Sequence, residues 1–217
     1  MTVPGPERAA LVEEAGRIID EGSQSFRSAS RLFDPVVRER SWLLYAWCRA
    51  CDDLTDGQRL GHDARTPTDP YDRQRRIETL TQRALAGETT GVAAFDALGL
   101  VQRECRIPRR MIEDHLKGFA LDADHWSPQT EADMLLYCYH VAGAVGMMMA
   151  VIMGVDPDDR ATLDRASDLG IAFQLNNIAR DLVPDAASGR VYVPREWQAE
   201  IGLADLAAFA DPSSAPA

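Results

Sequence analysis

The chain has 217 residues, 46% of them hydrophobic, enough for one domain or a small pair with a sizeable core. With 34 acidic and 23 basic residues the net charge is −11, which disfavours nucleic acid or an anionic membrane surface as a partner held by bulk electrostatics, while leaving room for a local phosphate site. Cys48, Cys51, Cys105 and Cys138 follow an N-terminal stretch with no basic start and no apolar core segment, so a reducing, cytoplasmic setting is expected.

Apolar residues recur at helical spacing from the start, in Leu11, Ala15, Ile18 and Ile19, and no stretch alternates as a strand. The next helical run, "SWLLYAWCRACDDLTD" (41–56), carries Trp42, Tyr45, Trp47 and Cys48 on an expected core face and ends in Asp52, Asp53 and Asp56. On a helix Asp52 and Asp56 share a face about 6 Å apart along the axis, while Asp53 points away and reads as a bystander. At an effective dielectric of about 20 the paired carboxylates repel by roughly 2.8 kcal/mol, so the arrangement calls for a cation. Cys48 and Cys51 form a C-x-x-C without a second pair or a strand-helix context, and read as helix-packing thiols.

Breakers at 61–70, 87–91, 107–110, 125–130 and 155–159 separate further runs, one of them Ile77, Leu80, Ala84 and Leu85, and predict an all-α bundle of seven or eight helices. Pro108 suits the first turn of one helix and Ser127 to Glu131 the start of the next. Residues 134–155 hold no Asp, Glu, Lys or Arg and are long enough to span a bilayer, but His140, three glycines and the lack of flanking Lys/Arg clusters favour a helix buried on all sides. Gly143 and Gly146 each cost roughly 0.8–1 kcal/mol relative to Ala, so something lies close to the backbone there.

"QLNNIARDLVPD" (174–185) then sets Gln174, Asn177, Asp181 and Asp185 at offsets of three and four. Two helices that each offer such a carboxylate pair can supply hard oxygen ligands to Mg²⁺ bound to a diphosphate, with Mn²⁺ as the alternative ion. Arg49 and Arg180, within a helical turn of the acidic pairs, can clamp phosphate oxygens or screen their neighbouring aspartates. Pro184 removes one helix hydrogen bond to the Arg180 carbonyl and is expected to displace Asp185 from the face of Asp181.

Taken together, "SFRSASRLF" (25–33), "LLYAWCRACDDLTD" (43–56), "GFALD" (118–122), "YCYHVAGAVG" (137–146) and "AFQLNNIARDLVPD" (172–185) resemble the squalene/phytoene synthase family, from about residue 20 to about 203. The resemblance implies an all-α isoprenoid-synthase-type bundle with a central cavity, a single domain over 1–203 and a disordered tail over 204–217. It implies Mg²⁺ on Asp52, Asp56, Asn177, Asp181 and Asp185, and diphosphate contacts from Arg49, Arg180, Tyr45 and Gln174, with Ser23 and Ser25 as hydroxyl donors or as helix caps. Carbocations need a dry, apolar or aromatic wall, for which Phe26, Tyr137, Tyr139, Val141, Ala142, Gly143 and Gly146 are candidates.

The implied reaction joins two geranylgeranyl diphosphates head to head through a cyclopropyl diphosphate to give phytoene, with no NADPH. The alternatives are squalene or dehydrosqualene formation from farnesyl diphosphate, and a shortened, non-catalytic prenyl-diphosphate-binding or assembly protein. Family members continue through further helices beyond the region matching 191–203, so a longer reading frame or a second chain would supply them. No nucleic acid partner is expected, and an apolar product suggests a peripheral contact with the membrane.

Overall fold

A computed structural model describes residues 6–56 and 69–202, apart from the side chains of Pro6 and Asp56. The expected tail and most of the break at 61–70 lie outside the described residues. Those described form helices and connecting turns with no strand among them. They fall into two compact units, one of residues up to Glu113 plus Met148–Arg160, the other of Asp114–Met147 and the residues from Ala161.

The first unit holds α1 (Pro6–Gly22), α2 (Gln24–Ser30), α3 (Pro35–Asp56), α4 (Pro70–Leu85) and α5 (Ala93–Cys105). Its centre is α3, which packs on α1, α4 and α5. Leu43, Leu44, Ala46, Trp47 and Cys51 are all at most 1% exposed, so one face of α3 is core from Ser41 onward; of the residues expected there only Trp47 lies on it, while Trp42, Tyr45 and Cys48 flank it half-buried. Asp34 caps the start, its Oδ1 accepting from the amides of Val36 and Val37 at 2.9 and 3.1 Å. The Trp47 indole donates to Thr81 Oγ1 of α4 at 3.3 Å, which satisfies its one polar atom inside the core.

The same unit buries the carboxylate of Glu104 on α5, whose side chain is 2% exposed, and neutralises it with Arg8 of α1 at 2.7 Å and Arg40 of α3 at 3.0 Å. Burial alone would raise the Glu104 pKa, but the two arginines hold it below the ordinary glutamate value. Three helices are thereby fixed at one charge cluster.

The second unit contains most of α6 (Arg109–Ala123), α7 (Glu131–Cys138), a π turn (Tyr139–Gly143), the start of α8 (Ala144–Ile152), α9 (Arg160–Ala187) beyond its first residue, and α10 (Arg195–Glu200). Thr130 caps α7 in a reciprocal box with Asp133, as the start signals at 127–131 predict, whereas α6 begins just after Pro108 rather than on it. The helix count exceeds the predicted seven or eight because α2 and α10 are short elements with little periodicity, and because the apolar run at 134–155 is interrupted by the π turn. Among the described residues Glu131–Ile152 is long and apolar enough to cross a membrane by length and composition. Met134, Tyr137, Cys138, Ala144 and Met148 within it are at most 4% exposed, but Leu135 and Leu136 are 36% and 55% exposed, so the run is buried on one face and not, as expected, on all sides.

In this unit, close backbone contact adds to a small buried cluster of Met134, Tyr137, Cys138 and Ile178. A Cβ on Gly146 would stand 2.3 Å from the Ala166 carbonyl oxygen, and one on Gly170 would stand 2.4 Å from that of Ala142. Gly143 and Gly146 therefore admit the backbone of α9, whereas a Cβ on Gly154 would meet nothing within 4 Å. Pro184 does not interrupt α9, which stays helical to Ala187. In contrast to the expected displacement, Asp185 keeps its backbone register one turn beyond Asp181. Pro184 forgoes one bond to the Arg180 carbonyl, and the helix continues for three residues beyond it.

Candidate functional site

The sequence-predicted residues divide between the two units. The first carries Ser23, Ser25, Phe26, Tyr45, Arg49, Asp52 and Asp56; the second carries Tyr137, Gln174, Asn177, Arg180, Asp181 and Asp185.

In the first unit Ser23 is the N-cap of α2, its Oγ accepting from the Phe26 amide at 3.2 Å, so the capping role is realised and the hydroxyl proton stays available to an acceptor. Ser25 is exposed, and Phe26 is 63% exposed rather than core, its ring tilted toward Tyr45 at 5.8 Å. Tyr45 is half-buried beneath Gly22, where a Cβ would meet its hydroxyl at 2.7 Å. Glycine at that position lets the end of α1 close over the phenol.

Arg49 lies one turn before Asp53, and its Nε and Nη2 donate to Asp53 Oδ1 at 3.0 and 2.8 Å. Asp53 is therefore no bystander: it sits at i+4 from the arginine and orients it, while Asp52 lies one residue off that line. Burial pulls the Arg49 pKa down, but Asp53 more than offsets it, so the guanidinium stays charged. Asp52 is half-buried, and α3 runs to Asp56, so the two keep the i, i+4 backbone register. The Asp56 side chain lies outside the described atoms. At this end of α3, Arg73 of α4 donates from Nη1 to the Leu54 carbonyl at 3.2 Å, bringing a cation to the helix C-terminus.

In the second unit Gln174, Asn177, Asp181 and Asp185 occupy an arc of about 80° on α9. Asn177 Nδ2 donates to Gln174 Oε1 at 3.3 Å, which leaves the Asn177 carbonyl oxygen for other partners. Arg180 donates from Nε to Asp181 Oδ1 at 2.8 Å and from Nη2 to Oδ2, and this pairing holds the Asp181 carboxyl below its usual pKa. Asp181 is thus an anion at neutral pH.

Tyr137 is 4% exposed, and its hydroxyl donates to Asp122 Oδ1 at 3.0 Å. The same oxygen accepts from the Tyr192 hydroxyl at 2.9 Å. The Tyr137 ring stacks between those of Tyr192 and Trp126, with centroids 4.8 and 5.6 Å away. Burial pushes both phenols well above their ordinary pKa, so they remain donors. Asp122, Tyr192 and Trp126 also line a cavity of about 190 Å³ with Arg190, Arg195 and Gln198. The sequence reading placed only Tyr137 here. Asp122 closes the quoted "GFALD" and Tyr192 stands in "VYVP", but nothing in their spacing joins residues 70 positions apart.

The donors are chemically suited to a hard divalent cation: ionised carboxylates, an amide oxygen and nearby arginines for a bound anion. Among the described residues no group of three or more His, Cys, Asp or Glu side chains lies close enough to hold a metal. Mg²⁺ requires only one or two carboxylates when phosphate oxygens and water complete its shell. The C-x-x-C contributes no such ligand: burial pushes the Cys48 and Cys51 thiols up, away from the thiolate form.

The model of the squalene/phytoene synthase family matches residues 19–217. A 15-cis-phytoene synthase of Pantoea ananas is 48% identical over 196 residues, covering 89% of this chain and 63% of that protein. A phytoene synthase of Cereibacter sphaeroides is 41% identical over 90% of this chain and 55% of its own length. The chain thus spans about six-tenths of the length of such curated relatives. Among solved structures, a dehydrosqualene synthase in complex with ligand matches with a TM-score of 0.79 at 28% identity, over 91% of this chain and 66% of that one. A squalene synthase from Alicyclobacillus acidocaldarius matches with the same TM-score and identity over 94% and 74%. The all-helical architecture, the two acidic helices and these matches agree, and the chain belongs to the squalene/phytoene synthase family.

Proposed function

We propose that the protein containing this chain is a phytoene synthase-like prenyltransferase that condenses two geranylgeranyl diphosphates head to head. The observation that carries this is 48% identity to a protein named 15-cis-phytoene synthase, over a stretch that includes every residue of both acidic motifs. Farnesyl diphosphate is the less favoured substrate, since the squalene and dehydrosqualene synthases among the solved structures are only 28% identical.

In this reading Asp52 and Asp56 hold Mg²⁺ on one diphosphate, and Asn177, Asp181 and Asp185 hold it on the other. Bound there, the metal supplies charge neutralisation of the departing diphosphate. Arg49 and Arg180, preset by Asp53 and Asp181, turn toward phosphate oxygens, while Ser23, Ser25, Tyr45 and Gln174 donate hydrogen bonds. Loss of diphosphate leaves an allylic cation, the second chain's double bond attacks it, and proton loss closes a cyclopropane. That cyclopropyl diphosphate ionises in turn, rearranges and loses a proton to give phytoene, with no reductant consumed. Of the two aromatic candidates Phe26 keeps an open face that tolerates positive charge, whereas both faces of the Tyr137 ring are covered by Tyr192 and Trp126, so its part is to pack the wall rather than to meet the cation. We place the enzyme in the cytoplasm, with a peripheral membrane contact where its apolar product leaves.

The test is to incubate the purified protein with geranylgeranyl diphosphate and Mg²⁺ and quantify phytoene. Asp52→Asn and Asp181→Asn are expected to lose about 100-fold or more in turnover. Parent-like rates in both variants would remove the metal assignment, and faster turnover of farnesyl diphosphate would move the substrate assignment to the shorter chain.

A further inference from the structure

The helix that precedes α9 contains one residue too many for a plain α-helix, and the extra residue has a dedicated partner. At the π turn the Ala144 amide bonds to the Tyr139 carbonyl, five residues back. In α geometry it would use the carbonyl of His140. That freed carbonyl accepts instead from Nδ1 of His115 on α6, at 3.0 Å. Because the acceptor is a carbonyl, the His115 proton must sit on Nδ1. The ring is 4% exposed and packs edge-on to Phe119 at 4.9 Å, which leaves it little freedom to turn away.

The absorbed residue decides which side chains meet α9. Met134 and Cys138, before the turn, lie in the apolar cluster with Ile178, Leu175 and Ile171 of α9. Beyond it, Gly143 meets Ser167 and Ile171, and Gly146 meets Ala166 and Gly170. Met134 and Gly146 are twelve positions apart, which a plain α-helix would turn about 120° from one another. With one residue taken up in the π turn they come within about 20°, on one face. Without the turn Val145 would occupy that face, where only a hydrogen fits against the Ala166 carbonyl.

We propose that His115 and the π turn form a register device: His115 is a positioning residue that stabilises the π turn, and the π turn seats α9 through Gly143 and Gly146. The inference deepens the functional reading only in that α9 carries Gln174, Asn177, Asp181 and Asp185.

The test compares four forms of the protein: the parent, His115→Leu, His115→Asn, and His115→Leu combined with deletion of Val141. Asn can place an N–H where Nδ1 stood, whereas Leu cannot. Deleting Val141 removes the surplus residue, so a plain α-helix would keep both Met134 and Gly146 on α9 without any partner for a freed carbonyl. Amide hydrogen exchange along α9 and calorimetric binding of inorganic pyrophosphate with Mg²⁺ are the readouts. His115→Leu is expected to speed exchange in the middle of α9 by about 10-fold or more, with α3 unchanged, and to weaken pyrophosphate binding. His115→Asn is expected to stay near the parent, and the deletion is expected to restore protection to the Leu variant. If the deletion leaves the Leu variant unprotected or unfolded, or if Asn behaves as Leu does, the device is wrong. If exchange follows the expected order but the parent binds no Mg²⁺-pyrophosphate, the functional reading falls and the register device stands.

Discussion

Helices α3 and α9 carry the same chemical signature, carboxylates at i and i+4 with an arginine close by, but are held in place in different ways. Five residues of α3 between Leu43 and Cys51 are at most 1% exposed, so its acidic end extends from a helix anchored by side-chain burial. Over its 28 residues α9 buries only Leu163, Ser167, Ile178 and Ala186, and leaves Leu169 and Phe173 at 60% and 64% exposed. Beside a small apolar cluster around Ile178, its closest anchoring comes from Gly146 and Gly170, where two helix backbones come into contact. A helix fixed by burial fails when a large side chain is removed, and one fixed by backbone approach fails when a small one is enlarged.

The largest effect is expected where burial dominates. Trp47→Ala removes a wholly buried indole from α3 and leaves Thr81 without its donor, at an expected loss of about 4 kcal/mol read from chemical denaturation. A loss below about 1 kcal/mol would mean that the α3 face collapses onto the space or was never tightly packed.

Acid separates the two regions in a second way. Burial pulls the His115 imidazole in the second unit down to about 4, from an ordinary value near 6.5. Its folded pKa lies below the unfolded one, so its stabilisation is complete above about pH 6.5 and is lost as pH falls from there toward 4. The amount is on the order of 3 kcal/mol. His140 shifts in the same direction, again chiefly through burial, and adds to the slope. Glu104 in the first unit is depressed from an ordinary value near 4.3, so its contribution disappears only below about pH 4. Hydrogen exchange between pH 6.5 and 4 is expected to loosen α6 and the π turn ahead of α3, and His115→Asn is expected to flatten that slope. Simultaneous loosening of both units would contradict the ordering.

Much of this was legible before any coordinates, because it depends on local spacing. The helix start at Thr130, the polar stripe on α9 and the close approach at Gly143 and Gly146 all follow from which residue stands three or four positions from which, whereas on α3 only Trp47 of the expected core residues lies on the buried face. The role of Asp53 is also local, since Arg49 stands four positions before it, but the Asp52–Asp56 pair on the same helix offers a competing i, i+4 pattern. Asp122, Tyr192 and the π turn were not legible. Each depends on a partner 25 or more residues away, Tyr192 for Asp122 and His115 for the His140 carbonyl, and no local pattern encodes which distant group arrives.

The smallest predicted effect is the sharpest discriminator, because two terms of opposite sign compete. Alanine in place of a mid-helix glycine should stabilise by about 1 kcal/mol from propensity alone. At Gly146 the new Cβ would stand 2.3 Å from the Ala166 carbonyl oxygen and 3.1 Å from its carbon, and a backbone group cannot swing aside. Overpacking of that kind costs about 1–3 kcal/mol, so Gly146→Ala is expected to be net destabilising by about 1–2 kcal/mol. At Gly16 on α1 the nearest atoms are Cε3 and Cζ3 of Trp42, each at 3.2 Å, and they belong to a half-buried side chain that can yield by a few tenths of an ångström. There the propensity gain offsets the crowding, and Gly16→Ala is expected to be neutral within about 0.5 kcal/mol. Thermal denaturation of the two variants side by side reads the sign: a Gly146→Ala protein more stable than its parent would mean that α9 does not rest on the backbone of the preceding helix.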